Sequence, residues 1–300
     1  MPSSIAITVA KPTTFVEGEI VAGTITLVHD KPMKHDGIEV VLTGVTTLKA
    51  TAKLVGLFDA LSAQPDPVET VHRVVHLVPA GSLAPPRTVV DFVVPLVPTT
   101  YNPLLETYKG RLVETRYVVS VDVTRGLTKR TLSATHELAV AVPAPRRMPP
   151  RPHRLSITPD LAPASERAVV PRFSVTVDIA SLDIELDEAV TGQVVVAWSD
   201  APVDCVLLQI VSFEHLAWGG DGDDIWQDND VQTSEVVAGH VLKTPVPFCV
   251  SLPRFVCAPS VSFAQFAVSY ALRCILVLGT GHVVTNGVPI TLYRGPRDRF

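Results

Sequence analysis

Sustained helical periodicity is what this sequence most conspicuously lacks. Nowhere do apolar residues recur at three- and four-residue spacing over the length a packed helix needs, which excludes bundles and helix-layered sheets. Charge is sparse as well, at 18% of residues against 47% hydrophobic, with 26 prolines in 300 residues. That balance excludes a disordered chain and describes a folded, loop-punctuated one with enough length for two cores. Long apolar runs are missing. The most apolar stretch, Phe266 to Leu278, is strand-sized and contains Arg273, so no helical membrane span is expected. The N-terminus MPSSIAITVA has neither a basic n-region nor an apolar core, and no glycine follows Met1, so neither secretion nor myristoylation is expected. No Asn-x-Ser/Thr acceptor occurs, in keeping with a cytosolic chain. Cys205, Cys249, Cys257 and Cys274 stand 44, 8 and 17 residues apart, which fits neither a zinc pattern nor a redox CxxC; all four are expected to be free core thiols.

Catalytic signatures are absent in the same way. There is no GxSxG elbow, no GxxxxGK[ST] loop, no GxGxxG after a strand and no HExxH. His72 and His76 are four apart in a strand-like run, where that spacing puts both on one, solvated, face. The acidic loop GGDGDDIWQDND (219–230) has five aspartates, but the calcium-loop pattern fails at Ile225 and Trp226. It reads as a hairpin loop, with an acidic docking loop anchored by Trp226 as the sharper alternative. No cofactor, metal or catalytic residue is expected, and the chain is read as no enzyme.

What the sequence does contain is strands. Ser4 to Val9, Ile20 to Val28, Ile38 to Gly44, Val71 to Val78, Thr88 to Pro95, Arg116 to Thr124 and Leu132 to Val142 are rich in Val, Leu, Ile or Thr. Pro, Gly and Asp clusters bound them, with a turn expected from Asp30 to Gly37 and at most a helical turn at Leu54 to Leu61. Short strands at such spacing make an antiparallel sandwich.

The second half repeats the first. With Gly23 set over Gly192, EIVAGTITL faces EAVTGQVVV without a gap. GIEVVLTG, PRTVVDFVVPL and TRYVVSVDV then find counterparts, in the same order, in VDCVLLQIV, LKTPVPFCVSLP and AVSYALRCILVL. The pattern is a duplicated sandwich. Between the copies lies PAPRRMPPRPHR (143–154), whose five prolines in twelve residues forbid a helix or an interior strand. The expected division is therefore a first sandwich over 1–142, a Pro/Arg-rich linker over 143–154 and a second sandwich over 155–300.

Charge separates along the same lines. Residues 1–142 carry 13 basic and 13 acidic side chains, the linker 4 basic, and 155–300 carry 8 basic against 17 acidic, a net of 8 − 17 = −9. No basic face suits nucleic acid. The linker arginines either project into solvent from a hinge-like spacer or meet the acidic second half.

The string LLETYKGRLVETRYVVSVDVTRGL (104–127) resembles the tyrosine-rich strand pair of the vacuolar protein sorting 26 family, whose pattern runs Y-E-T/S-Y-x-G-x-x-V-x-x-x-Y. Glu106, Thr107, Tyr108, Gly110, Val113 and Tyr117 fill it, with Leu105 in place of the first aromatic. AKLVGLFDA (52–60), ERAVVPRFSV (166–175) and PVPFCVSLPRFVCAP (245–259) resemble one branch, the retriever subunits of the Down syndrome critical region protein 3 type. The retromer branch shares the tyrosine pattern but matches these strings less well.

The resemblance implies an all-β, arrestin-like fold of two tandem immunoglobulin-like antiparallel β-sandwiches. It also implies a non-enzymatic scaffold that recycles membrane cargo from endosomes, cytoplasmic and peripheral on the membrane through its complex. The implied partners are a sorting 35-like α-solenoid, a sorting 29-like subunit in the same complex, and sorting nexins or cargo tails. By position, the solenoid contact falls on Val236, Val237, Ala238, Gly239 and His240, where two valines beside a glycine at a hairpin tip would enter a groove between helices. Ala238 stands where the family has an acidic residue. The other reading is an arrestin-domain adaptor linking receptors to coats or ubiquitin ligases. Such adaptors carry PPxY, but Pro85-Pro86 and Pro149-Pro150 are followed by Arg-Thr and Arg-Pro.

Overall fold

The computed structural model describes residues 3–11, 13–49, 65–125, 131–217, 224–253 and 257–296. The stretch 54–61, read as a possible helical turn, and the string 52–60 lie outside them. Among the described residues there is no α-helix, only a 3-10 turn at Pro159–Leu161. The chain divides into two compact units, the first ending at Val142, the second comprising Gly110–Leu112 and the chain from Pro143 onward.

The first unit contains β1 (Ser4–Val9), β2 (Phe15–Val16), β3 (Ile20–Val28), β4 (Met33–Leu48), β5 (Val68–Leu83), β6 (Arg87–Pro95), β7 (Tyr108–Lys109), β8 (Val113–Thr124), β9 (Leu132–Leu138) and β10 (Val140–Ala141). One sheet has the order β1-β3-β6; the other runs β5-β4-β8-β7, with β9 added on β8. Period-two alternation puts Val21, Ile25 and Leu27 of β3 and Phe92 and Val94 of β6 inside. They share one core with Ile38, Val40 and Leu42 of β4 and Tyr117, Val119, Val121 and Val123 of β8. Burial of each such side chain contributes roughly 1.5–3 kcal/mol.

The second unit contains β11 (His153–Ile157), β12 (Phe173–Ile179), β13 (Asp183–Glu185), β14 (Ala189–Ser199), β15 (Val203–Leu216), β16 (Ile225–Ala238), β17 (Val246–Ser251), β18 (Val261–Ser262), β19 (Phe266–Leu278) and β20 (Val283–Tyr293). Its sheets have the orders β11-β12-β14-β17 and β13-β20-β19-β15-β16, with β18 on β19.

The duplication is visible in atoms. β3 lies between β1 and β6 as β14 lies between β12 and β17. In register, Gly23 faces Phe92 and Gly192 faces Phe248. A Cβ on either glycine would collide with that phenylalanine ring and with the backbone oxygen of Thr8 or Asp178, so both positions admit no side chain. Ahead of each glycine strand, a short strand pairs in parallel with a late strand, β2 with β10 and β13 with β20. A buried tyrosine is repeated as well. The Tyr117 hydroxyl donates to the Leu105 carbonyl at 2.7 Å and accepts from the Leu105 N–H at 3.1 Å. That of Tyr270 accepts from the Ala258 N–H at 3.1 Å, again 12 residues upstream. Such tyrosine corners tie a loop to the strand it precedes in sandwich folds.

Two expectations shift. The turn read over Asp30 to Gly37 is shorter, because β4 begins at Met33: Met33 and His35 are buried, and β4 pairs there with the last residues of β5. β5 likewise runs through Pro79 and Gly81, where the sequence suggested a stop.

The Pro/Arg segment is an extended strap along the second unit. Pro143 bridges to Arg294, the Leu182 N–H donates to the Arg151 carbonyl at 2.8 Å, and β11 starts inside the segment at His153. Arg151 grips Asp183 with two bonds of 2.9 and 2.7 Å, Arg154 grips Asp178 with two of 2.5 and 3.1 Å, and Arg147 meets Glu188 and the buried Glu185. The hydrogen bonds from Arg154 and Arg151 hold the Asp178 and Asp183 carboxyls below their ordinary range. Of the two readings of these arginines, pairing with the acidic half is the one the structure shows for Arg147, Arg151 and Arg154; Arg146 is exposed.

Candidate functional site

Val236, Val237 and Ala238 end β16, the edge strand of its sheet; Gly239 and His240 begin the connection to β17 in the opposite sheet. The segment therefore turns a corner between sheets, where a hairpin tip was expected. Gly239 takes a left-handed φ of 78°, and its N–H donates to the Asp204 carbonyl at 2.7 Å. The His240 Nδ1 accepts from the Val203 N–H at 3.1 Å, which fixes the neighbouring end of β15. Val237 is only 2% exposed and faces Val206, so its side chain belongs to the core. Val236 is half-buried, and Ala238, Gly239 and His240 are exposed. The surface the corner offers is thus small, backbone-rich and rigid, with Val236 as its aliphatic component.

The tyrosine-pattern residues are architectural. The Thr107 hydroxyl accepts from the Val140 N–H at 2.9 Å and the Glu106 carboxylate from the Val142 N–H at 3.3 Å, pinning the end of the first sandwich. Leu105, in the aromatic's place, is buried. Gly110 belongs with the second unit, where the carboxylate of Glu214, 1% exposed on β15, accepts from the N–H groups of Arg111 (3.0 Å) and Leu112 (2.7 Å). A Cβ on Gly110 would collide with that carboxylate. Glu214 carries no sequence signal of its own; the unexplained glycine of the pattern was the clue that could have found it.

The remaining sequence candidates stay apart. His72 lies 3.5 Å from Glu69 and His76 lies 2.8 Å from Glu39, each on the exposed face of β5. Among the described residues no group of three or more His, Cys, Asp or Glu is placed to hold a metal. Residues 218–223 of the acidic loop region lie outside the described part; Asp224 meets His215 at 2.8 Å. Burial raises the Cys257 thiol to about 11 and that of Cys274 to about 12, as core thiols should be, whereas Cys205 is half-buried and Cys249 is exposed on β17. The expectation of four core thiols fails at those two, because Cys249 falls on the outward phase of its strand.

Two antiparallel sandwiches that repeat one strand order and one tyrosine corner define an arrestin-type, double-sandwich protein. The model of the family described as vacuolar protein sorting-associated protein 26 matches residues 6–281, and the chain belongs to that family. It is 27% identical over 289 residues to the vacuolar protein sorting-associated protein 26C of Dictyostelium discoideum, covering 92% of this chain and 94% of that protein. Membership makes it a protein of endosomal transport, in the retromer and retriever class. No described helix is long and apolar enough to cross a membrane.

Proposed function

We propose that this chain is a non-enzymatic scaffold subunit of a retriever- or retromer-type cargo-recycling complex. It binds a sorting 35-like α-solenoid through its second sandwich, with a sorting 29-like subunit in the same assembly, and rides on endosomes peripherally, on the cytoplasmic side. In this reading residues 1–142 and 155–300 act as the two sandwiches and 143–154 as their connection. The observation that carries the reading is a family match spanning residues 6–281, together with a likeness to a 26C protein over 92% of the chain.

The solenoid contact we assign to Val236, Val237, Ala238, Gly239 and His240. Val236 and Ala238 supply the touching side chains, Gly239 lets the partner backbone approach, and Val237 and His240 hold the corner in place. Capture of a sorting 35-like solenoid by the full chain tests it. Ala238→Arg and Val236→Asp, which leave the buried Val237 intact, should each weaken capture at least about tenfold, the loss of one interfacial anchor. Undiminished capture by both folded variants sinks the interface assignment.

A further inference from the structure

At the opposite end of β16 the second unit carries a groove unconnected with that corner. It encloses about 480 Å³ on the outer face of the large sheet. Phe213 and Trp226 wall it, and Ser269, Ala271, Gly287 and Pro289 are among the residues that line it. Small residues on neighbouring strands create the depth: Ala271 and Pro289 face each other in register between β19 and β20.

Trp226 is 60% exposed, yet its ring is held. The indole packs against the His215 ring, tilted by 33° with the centroids 4.3 Å apart, and His215 is in turn 2.8 Å from the Asp224 carboxylate. A large aromatic, held in place and open to solvent, is the typical anchor of a binding surface. The rim is acidic. Asp224 and Asp228 have side chains 44% and 60% exposed, and Arg273 is occupied, 3.8 Å from Asp228 and 5.5 Å over the Phe213 ring. The chain from Pro143 onward, which includes the arginine strap laid along this unit, carries 12 basic against 17 acidic residues, a net charge of 12 − 17 = −5.

We propose that this groove docks an extended, proline-containing segment of a partner protein that carries basic residues. Shallow grooves lined by Trp, Phe and Pro fit the flat pyrrolidine rings of a polyproline helix, which is already extended and loses little entropy on binding. The aspartates supply the charge complementary to arginine or lysine flanking the prolines. β16 is an edge strand, so nothing in the sheet overhangs the groove from that side. Trp226 and Ala238 are 12 residues apart on one strand, about 40 Å at strand rise, so this site and the corner can be filled together.

The probe is a fluorescein-labelled peptide of four Pro-Leu-Pro-Arg repeats, titrated with the full chain and followed by anisotropy. Saturable binding is expected, weakened at least about tenfold by Trp226→Ala, the loss of one anchor. Asp228→Lys, which leaves the indole in place, should weaken it severalfold, as should added salt or a peptide with Glu in place of Arg. Circular dichroism checks that each variant is folded, and if Trp226→Ala is not, Asp228→Lys decides alone. The proposal is overturned by no saturation at millimolar chain, by equal binding of the Arg and Glu peptides, or by folded variants that bind as wild type does.

Discussion

Replacing Tyr117 by phenylalanine removes one oxygen from the first sandwich while keeping its ring. That ring is 1% exposed, and the hydroxyl serves both the N–H and the carbonyl of Leu105, itself buried, with the Thr70 hydroxyl 3.3 Å away. Burial raises the Tyr117 pKa, so the group acts as a neutral phenol at any physiological pH. Each buried backbone group left without its partner costs about 1–3 kcal/mol, and two give about 2–4 kcal/mol when the loop relaxes in part. For a unit of this size, 1 kcal/mol moves the midpoint by about 3–5 °C, so Tyr117→Phe should lower it by about 6–20 °C. Two compact units need not unfold as one, so calorimetry should be joined to amide exchange that reports each unit separately. The Leu105 amide should lose protection first. A midpoint within about 2 °C of wild type, with Leu105 protected as before, would refute the tyrosine-corner reasoning. Tyr270→Phe should act in the same direction on the second unit, starting at Ala258.

Other outcomes follow from the same contacts. Gly23→Ala and Gly192→Ala should each destabilise their own unit by about 1–3 kcal/mol, because the obstacle is a backbone oxygen as well as a ring; denaturant unfolding of single-unit probes checks it. The hydrogen bond from Lys49, with a further one from Arg116 at 2.6 Å, lowers the Glu114 pKa. Its contribution is therefore present above the ordinary carboxylate range and is lost as pH falls through the depressed value. Stability should drop less between pH 6 and pH 3 in Glu114→Gln than in wild type, and an equal drop would count against the pair. Asp183→Asn removes the clamp on Arg151 and should speed exchange of the Leu182 amide, which donates to the Arg151 carbonyl; an unchanged rate would show that the backbone bonds alone hold the strap.

Much of this was legible in the sequence where a residue's environment is set by its neighbours. Ser4 to Val9 alternates through Ile5, Ile7 and Val9, and Ile20 to Val28 follows the turn residues Glu17-Gly18-Glu19; both form strands with those very ends. Gly23 over Gly192 was legible because a side chain is forbidden at both places for one reason. Polar, turn-forming residues misled the reading of Met33 to Gly37, since burial of Met33 and His35 outweighs local preference there. The partners of Arg147, Arg151 and Arg154 were visible as a charge excess but not as Glu188, Asp183 and Asp178, because strand pairing brings them together. At the candidate corner the valines were found, yet sequence alone could not show that Val237 points inward, since a change of sheet begins at Gly239. Trp226 stood out by type, and its groove depends on small residues contributed by two later strands.

The central claim is membership of a recycling complex through a helical-repeat partner. Affinity purification of the full chain from its native cell, with identification of the large co-purifying subunit, tests it most directly. A sorting 35-like α-solenoid is expected in near-equal amount, lost with Ala238→Arg and retained with Trp226→Ala. Recovery of folded chain with no such solenoid would contradict it.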